Sequence, residues 1–343
     1  MLSAGSSTMS DFHRSQYNGI SCKGISLTEL IIASTLSILI IVTVLKVYVN
    51  AQHSSRTQTL NRQIQENGRF ALKLIGEDIQ MAGYHGLSIR PSTIDTSATD
   101  SLSTQYGCGT AAWAANVSES VFAADNTNPY IDTCISESTY TDATDILVVR
   151  HTAGEPIAAS AIKEHHLYLY TSLTDGASFR ADNSGKINDT TLETVTEIPV
   201  GTYKLSTNVY YIRPCSSVSA GNSSRCSGDS IPTLVRQTLT ANGSVVEPLV
   251  EYIENMQVTL GIDTGFTSDF TVDRYVSPAA VSDWEKVIVA RIDFLVRSPD
   301  KVTGYDHSRT YKVGQESITK RDGYYRKVFT NSFFIRNLSL DNG

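Results

Sequence analysis

The sequence predicts an α+β protein: a long amino-terminal helix, transmembrane and then amphipathic, packed on a mainly antiparallel β globular domain. Three observations carry this. An apolar run from Ile25 to Leu45 holds a single charge, Glu29. Apolar residues then recur at helical spacing as far as Ala82. Beyond Gly83, apolar and polar residues alternate in short segments separated by Ser, Thr, Asn, Asp and Gly.

Residues 1–24 are polar, and Arg14 and Lys23 are their only Lys or Arg residues. The run that follows matches the roughly 20 residues a helix needs to cross a bilayer core, and no proline precedes Pro91 to break it. A secretory signal peptide fits poorly, because its apolar region spans about 7–15 residues and ends at small residues. Val49-Asn50-Ala51 is a weak match to such a site. A simple anchor leaves Glu29 unexplained, since a carboxyl inside an apolar span costs at least ~2.5 kcal/mol and marks function. Lys and Arg counts do not orient the span: Arg14 and Lys23 lie on one side, Lys46, Arg56 and Arg62 on the other.

Past the span, Leu60, Ile64, Ala71, Ile75, Ile79 and Ala82 form one apolar stripe, and Gly83 is a suitable stop. Residues 84–343 read as mainly β. Ile288, Ala290, Ile292, Phe294 and Val296 define one buried face, alternating with Val287, Val289, Arg291, Asp293, Leu295 and Arg297. Tyr252, Met256, Val258, Leu260 and Ile262 share a face of a second strand, and Phe329, Phe333 and Ile335 mark a third. Segments 144–151, 166–170 and 207–213 are further strands. The polar stretch from Pro91 to Asp145 reads as loop.

With 343 residues, 41% hydrophobic and 18% charged, the chain can bury a core. Its net charge of −7 argues against a broad nucleic-acid surface. There are five cysteines: Cys22, Cys108, Cys134, Cys215 and Cys226. Four lie beyond the apolar run and can pair in an oxidising compartment. Four cysteines allow three pairings. Cys108–Cys134 with Cys215–Cys226 is the simplest, each bond contributing about 3 kcal/mol in the loop-entropy picture. No Gly-x-Ser-x-Gly, His-Glu-x-x-His or phosphate loop occurs. His165 and His166 are adjacent and would point to opposite faces of a strand. Asp263, Asp269 and Asp273 fit no calcium-loop spacing. The reading is of no enzyme, no metal site and no cofactor.

Lys23-Gly24 followed by Ile25-Ser26-Leu27-Thr28-Glu29-Leu30 resembles the class III signal sequence of type IV prepilins and type II secretion pseudopilins. The resemblance implies cleavage by a prepilin peptidase between Gly24 and Ile25, with methylation of the new amine. It also implies a leader of residues 1–24, cytoplasmic and removed together with Cys22. A helix over 25–83 follows, with its transmembrane half at 25–45. Ile25 stands where phenylalanine is usual. Glu29 would neutralise an amine in the apolar layer, because buried charges are tolerated when paired. Such a contact repeats head to tail without closing, as filaments require.

A narrower resemblance is to the PilW family of minor pilins. It rests on Gln65 to Ala71, Asp78 to Gly86, Asp145 to Arg150, Tyr210 to Arg213, Leu249 to Gln257, Trp284 to Arg297, and Arg326 to Asn337. It implies a minor pilin of the type IV pilus that helps start assembly in a low-copy tip complex. The implied partners are other minor pilins, the major pilin, the inner membrane and a tip adhesin. The domain after the helix would be periplasmic, then part of the surface pilus. A J-type pseudopilin of type II secretion and a surface-binding tip subunit are the alternatives.

Overall fold

The computed structural model describes residues 24–88, 94–95, 108, 111–131, 133–163, 166–180, 200–220, 222–240, 243–265 and 270–337. The expected leader, apart from Gly24, lies outside the described residues, as do Cys22, His165 and Asp269. The chain forms two compact units, Met1–Arg56 and Thr57–Gly343.

Helix α1 runs Leu27–Met81 and contributes to both units. In the first unit its side chains are exposed throughout. Hydroxyls that would be costly in hydrocarbon bond back to the helix itself. Ser34 donates to the Ile31 carbonyl at 2.9 Å, Ser37 to Ala33 at 2.7 Å and Thr43 to Leu39 at 2.8 Å. This is an apolar amino-terminal helix compatible with a single-pass membrane anchor.

In the second unit α1 buries Leu60, Ile64, Gly68, Ala71, Leu72, Ile75, Gly76 and Ile79, a stripe at steps of three and four. Each fully buried Ile is worth about 1.5–3 kcal/mol. Gly83 ends the helical turn at φ +78°, a conformation in which glycine avoids the Cβ penalty.

The strands in chain order are β1 (Ile94–Asp95), β2 (Val121–Ala124), β3 (Ile146–Thr152), β4 (Leu167–Thr171), β5 (Gly176–Arg180), β6 (Gly201–Arg213), β7 (Val218–Ser219), β8 (Asn222–Cys226), β9 (Thr233–Thr240) and β10 (Gly243–Glu251). They continue with β11 (Ile253–Ile262), β12 (Arg274–Val276), β13 (Val287–Lys301), β14 (Arg309–Val313), β15 (Glu316–Lys320) and β16 (Tyr324–Phe334). One sheet has the order β1-β5-β4-β6-β3-β2, with β9 joined to β6 and β10 to β9. A second has the order β12-β11-β13-β16. Among the described residues the β1–β5 pair alone is parallel.

One core joins α1 to both sheets. It includes Ile64, Ile75 and Ile79 of the helix, Leu147, Val149, Tyr210 and Ile212 of the larger sheet, and Met256, Val258, Ile292 and Phe294 of the smaller. The far face of the larger sheet is covered as well: Val148, Val209 and Tyr211 pack with Tyr130, Ile135 and Tyr140. Asp145, just before β3, laces the two sheets together. Its N–H donates to the Met256 carbonyl at 2.9 Å, and its carboxylate accepts from the N–H of Val258 at 2.6 Å and of Asn126 at 2.9 Å. Burial pushes its pKa up to about 7, against the pull of those two N–H groups.

Cys108 is bonded to Cys134 and Cys215 to Cys226, with Cα separations of 4.5 Å and 5.8 Å. Both are local pairings, across 26 and 11 residues.

Three expectations need correction. Strand β13 is buried on both faces, since Val289, Asp293 and Leu295 are as hidden as Ile292 and Phe294. The outward face carries polar groups that satisfy one another: Thr330 donates to the Asp293 carboxylate, and Asn255 and Gln257 donate to the Ala143 carbonyl. Tyr252 is not part of a strand face. It sits at φ +67° in the tight connection between β10 and β11. The Pro91–Asp145 stretch is not all loop, for β2 pairs with β3 and a short helix, α2 (Ala111–Ala115), precedes it. Four-residue apolar runs are too short to show a period.

Candidate functional site

The sequence singles out Gly24, Ile25 and Glu29 in the first unit. Ser26 and Glu29 form a reciprocal cap at the start of α1. The Glu29 N–H donates to Ser26 Oγ at 3.2 Å, and the Ser26 N–H points to Glu29 Oε2 at 3.4 Å. This is the Ser-x-x-Glu capping box, legible in the sequence as Ser26-Leu27-Thr28-Glu29. Glu29 is thus held one turn from Ile25 and is exposed, with carboxylate lone pairs left for a further partner.

In the second unit, the stretches that carry the family resemblance meet along α1. The carboxy-terminal strand β16 lies beside the helix and runs parallel to it. Phe329 covers Gly68 and Phe333 covers Gly76. Four residues of strand span about 13 Å and eight residues of helix about 12 Å, so ring and notch stay in step. A Cβ on Gly68 would come within 2.6 Å of Phe329 Cε2, and one on Gly76 within 2.6 Å of Phe333 Cζ. Mid-helix glycine is a recognisable signal for such close packing.

Gly76→Ala should therefore destabilise the chain. Overpacking costs about 1–3 kcal/mol, which exceeds the roughly 1 kcal/mol that alanine gains in helix propensity. Chemical denaturation of the detergent-solubilised chain measures the balance. Phe333→Leu in the same chain should make the alanine better tolerated, since it removes the ring that the new methyl meets.

Past Phe333 the chain reaches the end of α1. The Asn337 side-chain amide donates to the carbonyls of Gln80, Met81 and Ala82 at 3.2, 3.4 and 3.3 Å. These are carbonyls that a helix terminus leaves without intrahelical partners. The Gly83 N–H donates to the Arg150 carbonyl at 3.1 Å. The Arg150 side chain is fully buried and gives Nε to the Trp113 carbonyl at 3.1 Å and Nη1 to the Glu119 carbonyl at 2.5 Å. Its guanidinium lies 4.9 Å from the centre of the Trp113 ring. Burial lowers its pKa to about 10, so it remains a cation at neutral pH.

A buried polar cluster is centred on Asp78 of α1. His151 Nε2 lies 2.8 Å from Asp78 Oδ1. Tyr210 donates its hydroxyl to Oδ2 at 2.9 Å, and Asn208 Nδ2 donates to both oxygens at 3.1 and 3.0 Å. Asn208 Oδ1 in turn accepts from the Thr238 hydroxyl at 2.8 Å. Burial and the Asp78 charge push the Tyr210 pKa far up, so it stays a donor. His151 and Asn208 carry no local sequence signal, because they act across 73 and 130 residues.

A second charged cluster fastens β16 to β11. Arg326 is bidentate to Glu254 at 2.5 and 2.9 Å and to Asp322 at 2.7 and 2.6 Å. The Arg326 hydrogen bonds hold Asp322 down at about 2. Asp263 and Asp273 are taken up in their own loop, accepting from the N–H groups of Gly265 and Thr264. No cluster of three or more metal-ligating side chains occurs among the described residues.

The geometry describes an apolar helix whose second half is mounted on a β-rich head by glycine notches, a capped end and a buried carboxylate. No curated protein and no solved structure matches the chain. Residues 209–337, from the second half of β6 through Asn337, match the family described as Type IV Pilus-assembly protein W, PilW. That match supports membership of the PilW family and points to type IV pilus assembly.

Proposed function

We propose that the protein is a minor pilin: a structural subunit, not an enzyme, that helps initiate type IV pilus assembly in a low-copy tip or priming complex. The observation that carries this is the exposed apolar helix that opens on Glu29 and bears a head of the PilW family. Cleavage after Gly24 removes residues 1–24, frees an amine at Ile25 and leaves the Ile25–Leu45 segment in the inner membrane. The head, with its two disulfides, then lies on the periplasmic side, where such bonds persist. A subunit with so large a head would crowd its neighbours at every position of a shaft, which favours low copy. Other minor pilins and the major pilin are its partners, and a prepilin peptidase processes it.

A deletion strain tests this reading when surface pili and type II secretion are scored together. Loss of pili with secretion intact is the expected result. Normal piliation refutes the assembly role, and loss of secretion alone moves the protein to the pseudopilin class. Mass spectrometry of the mature protein should find Ile25 at the amino terminus, and Gly24→Val should leave a longer species in the membrane. A mature chain beginning elsewhere removes the processing argument.

A further inference from the structure

His151 has both ring nitrogens on oxygen acceptors. Nε2 faces the Asp78 carboxylate at 2.8 Å, and Nδ1 faces the Thr152 carbonyl at 2.9 Å. Neither oxygen carries a hydrogen to share. A neutral imidazole has one N–H and one lone pair, so it can satisfy only one of these contacts. The imidazolium satisfies both. We propose that the mount of α1 on the head is a pH-dependent latch, in which the His151 imidazolium clamps Asp78 of the helix to β3 and loosens when the ring loses its proton.

The groups around the ring support this. From α1 comes Asp78, the one carboxylate bonded to the ring among the described residues. From β6, Asn208 and Tyr210 bind the same carboxylate and stay uncharged. From β9, Arg236 acts on the ring at a distance and lowers its proton affinity, while itself paired to Glu247 at 2.7 Å. After α1, His85 is buried and held down at about 4 by that burial, so it is neutral throughout the relevant range. Burial by itself would lower the His151 pKa, but the hydrogen bond and charge of Asp78 outweigh it and leave it raised above 6.5. A raised folded-state pKa fixes the sign. The stabilisation is complete below the unfolded value of about 6.5 and is lost as pH rises through the folded value.

The test uses the full chain in detergent micelles, with histidine carbon-labelled and the His151 resonance assigned by its loss in His151→Gln. The expected midpoint lies above 6.5 and falls by about one unit or more in Asp78→Asn. In parallel, thermal midpoints of wild type and His151→Gln are compared between pH 5.5 and 9. The wild-type advantage should shrink by several degrees across that range. Asp145 titrates nearby, but it is present in both proteins and cancels in the difference. A His151 midpoint at or below 6.5 overturns the latch, as does a midpoint unmoved in Asp78→Asn or a thermal difference independent of pH. If Asp78→Asn does not fold, the wild-type midpoint and the His151→Gln difference still decide.

Discussion

Asp78→Ala is expected to destabilise the head by about 3–5 kcal/mol, the range for removing one partner of a buried charged pair. The substitution deletes the acceptor for three side chains at once. His151 keeps a charge with no counter-ion or must lose its proton, and Tyr210 and Asn208 are left with donors facing a gap. Each orphaned donor costs about 1–3 kcal/mol. These costs overlap, because the three donors share one carboxylate and relax together. Guanidinium denaturation followed by tryptophan fluorescence, with Trp113 and Trp284 as reporters, measures the loss. Asp78→Asn should cost less, since its remaining oxygen still accepts from one donor. A loss under about 1 kcal/mol for Asp78→Ala would mean that the apolar stripe alone holds the helix.

The second large effect is on assembly. Glu29→Gln should still be cleaved, fold and remain in the membrane, yet fail to restore pili to a deletion strain. The amide keeps the size of the side chain and its place beside Ser26, where the cap needs only an oxygen. What it removes is the charge that would answer the amine of a neighbouring subunit in the apolar layer. Immunoblots of membrane and sheared fractions separate failed assembly from failed folding, and twitching reports the outcome. Full rescue by Glu29→Gln would refute the pairing role.

The parts of this fold that can be read from the sequence are those with a local period or cap. The helix is legible because Leu60, Ile64, Ala71, Ile75 and Ile79 repeat within one element, and Gly83 closes it. The strands around Met256, Ile292 and Phe333 are legible because alternation is a property of a single segment. Which strands pair is not legible, nor is the second buried face of β13. There Asp293 and Gln257 look solvent-facing, and only partners far along the chain explain their burial. The Asp78 cluster is hidden for the same reason: each of its members is an ordinary polar residue until the fold brings them together. Glu29 is the opposite case, since the pattern that singles it out lies in the five residues before it and the apolar run after it.

The pairing of the last strand with the first helix has a consequence for timing. Phe329, Phe333 and Asn337 are made long after Gly68, Gly76 and Ala82, whose packing they complete. Contacts this distant in sequence form late, because the intervening chain must be ordered first. A chain halted anywhere before Phe329 exposes two glycine notches and a frayed helix end, whatever the state of its disulfides. The helix–strand packing therefore waits on the synthesis of β16 and Asn337. The second half of α1 gains these contacts only once synthesis has passed Asn337, so a shorter chain leaves its last turn uncapped.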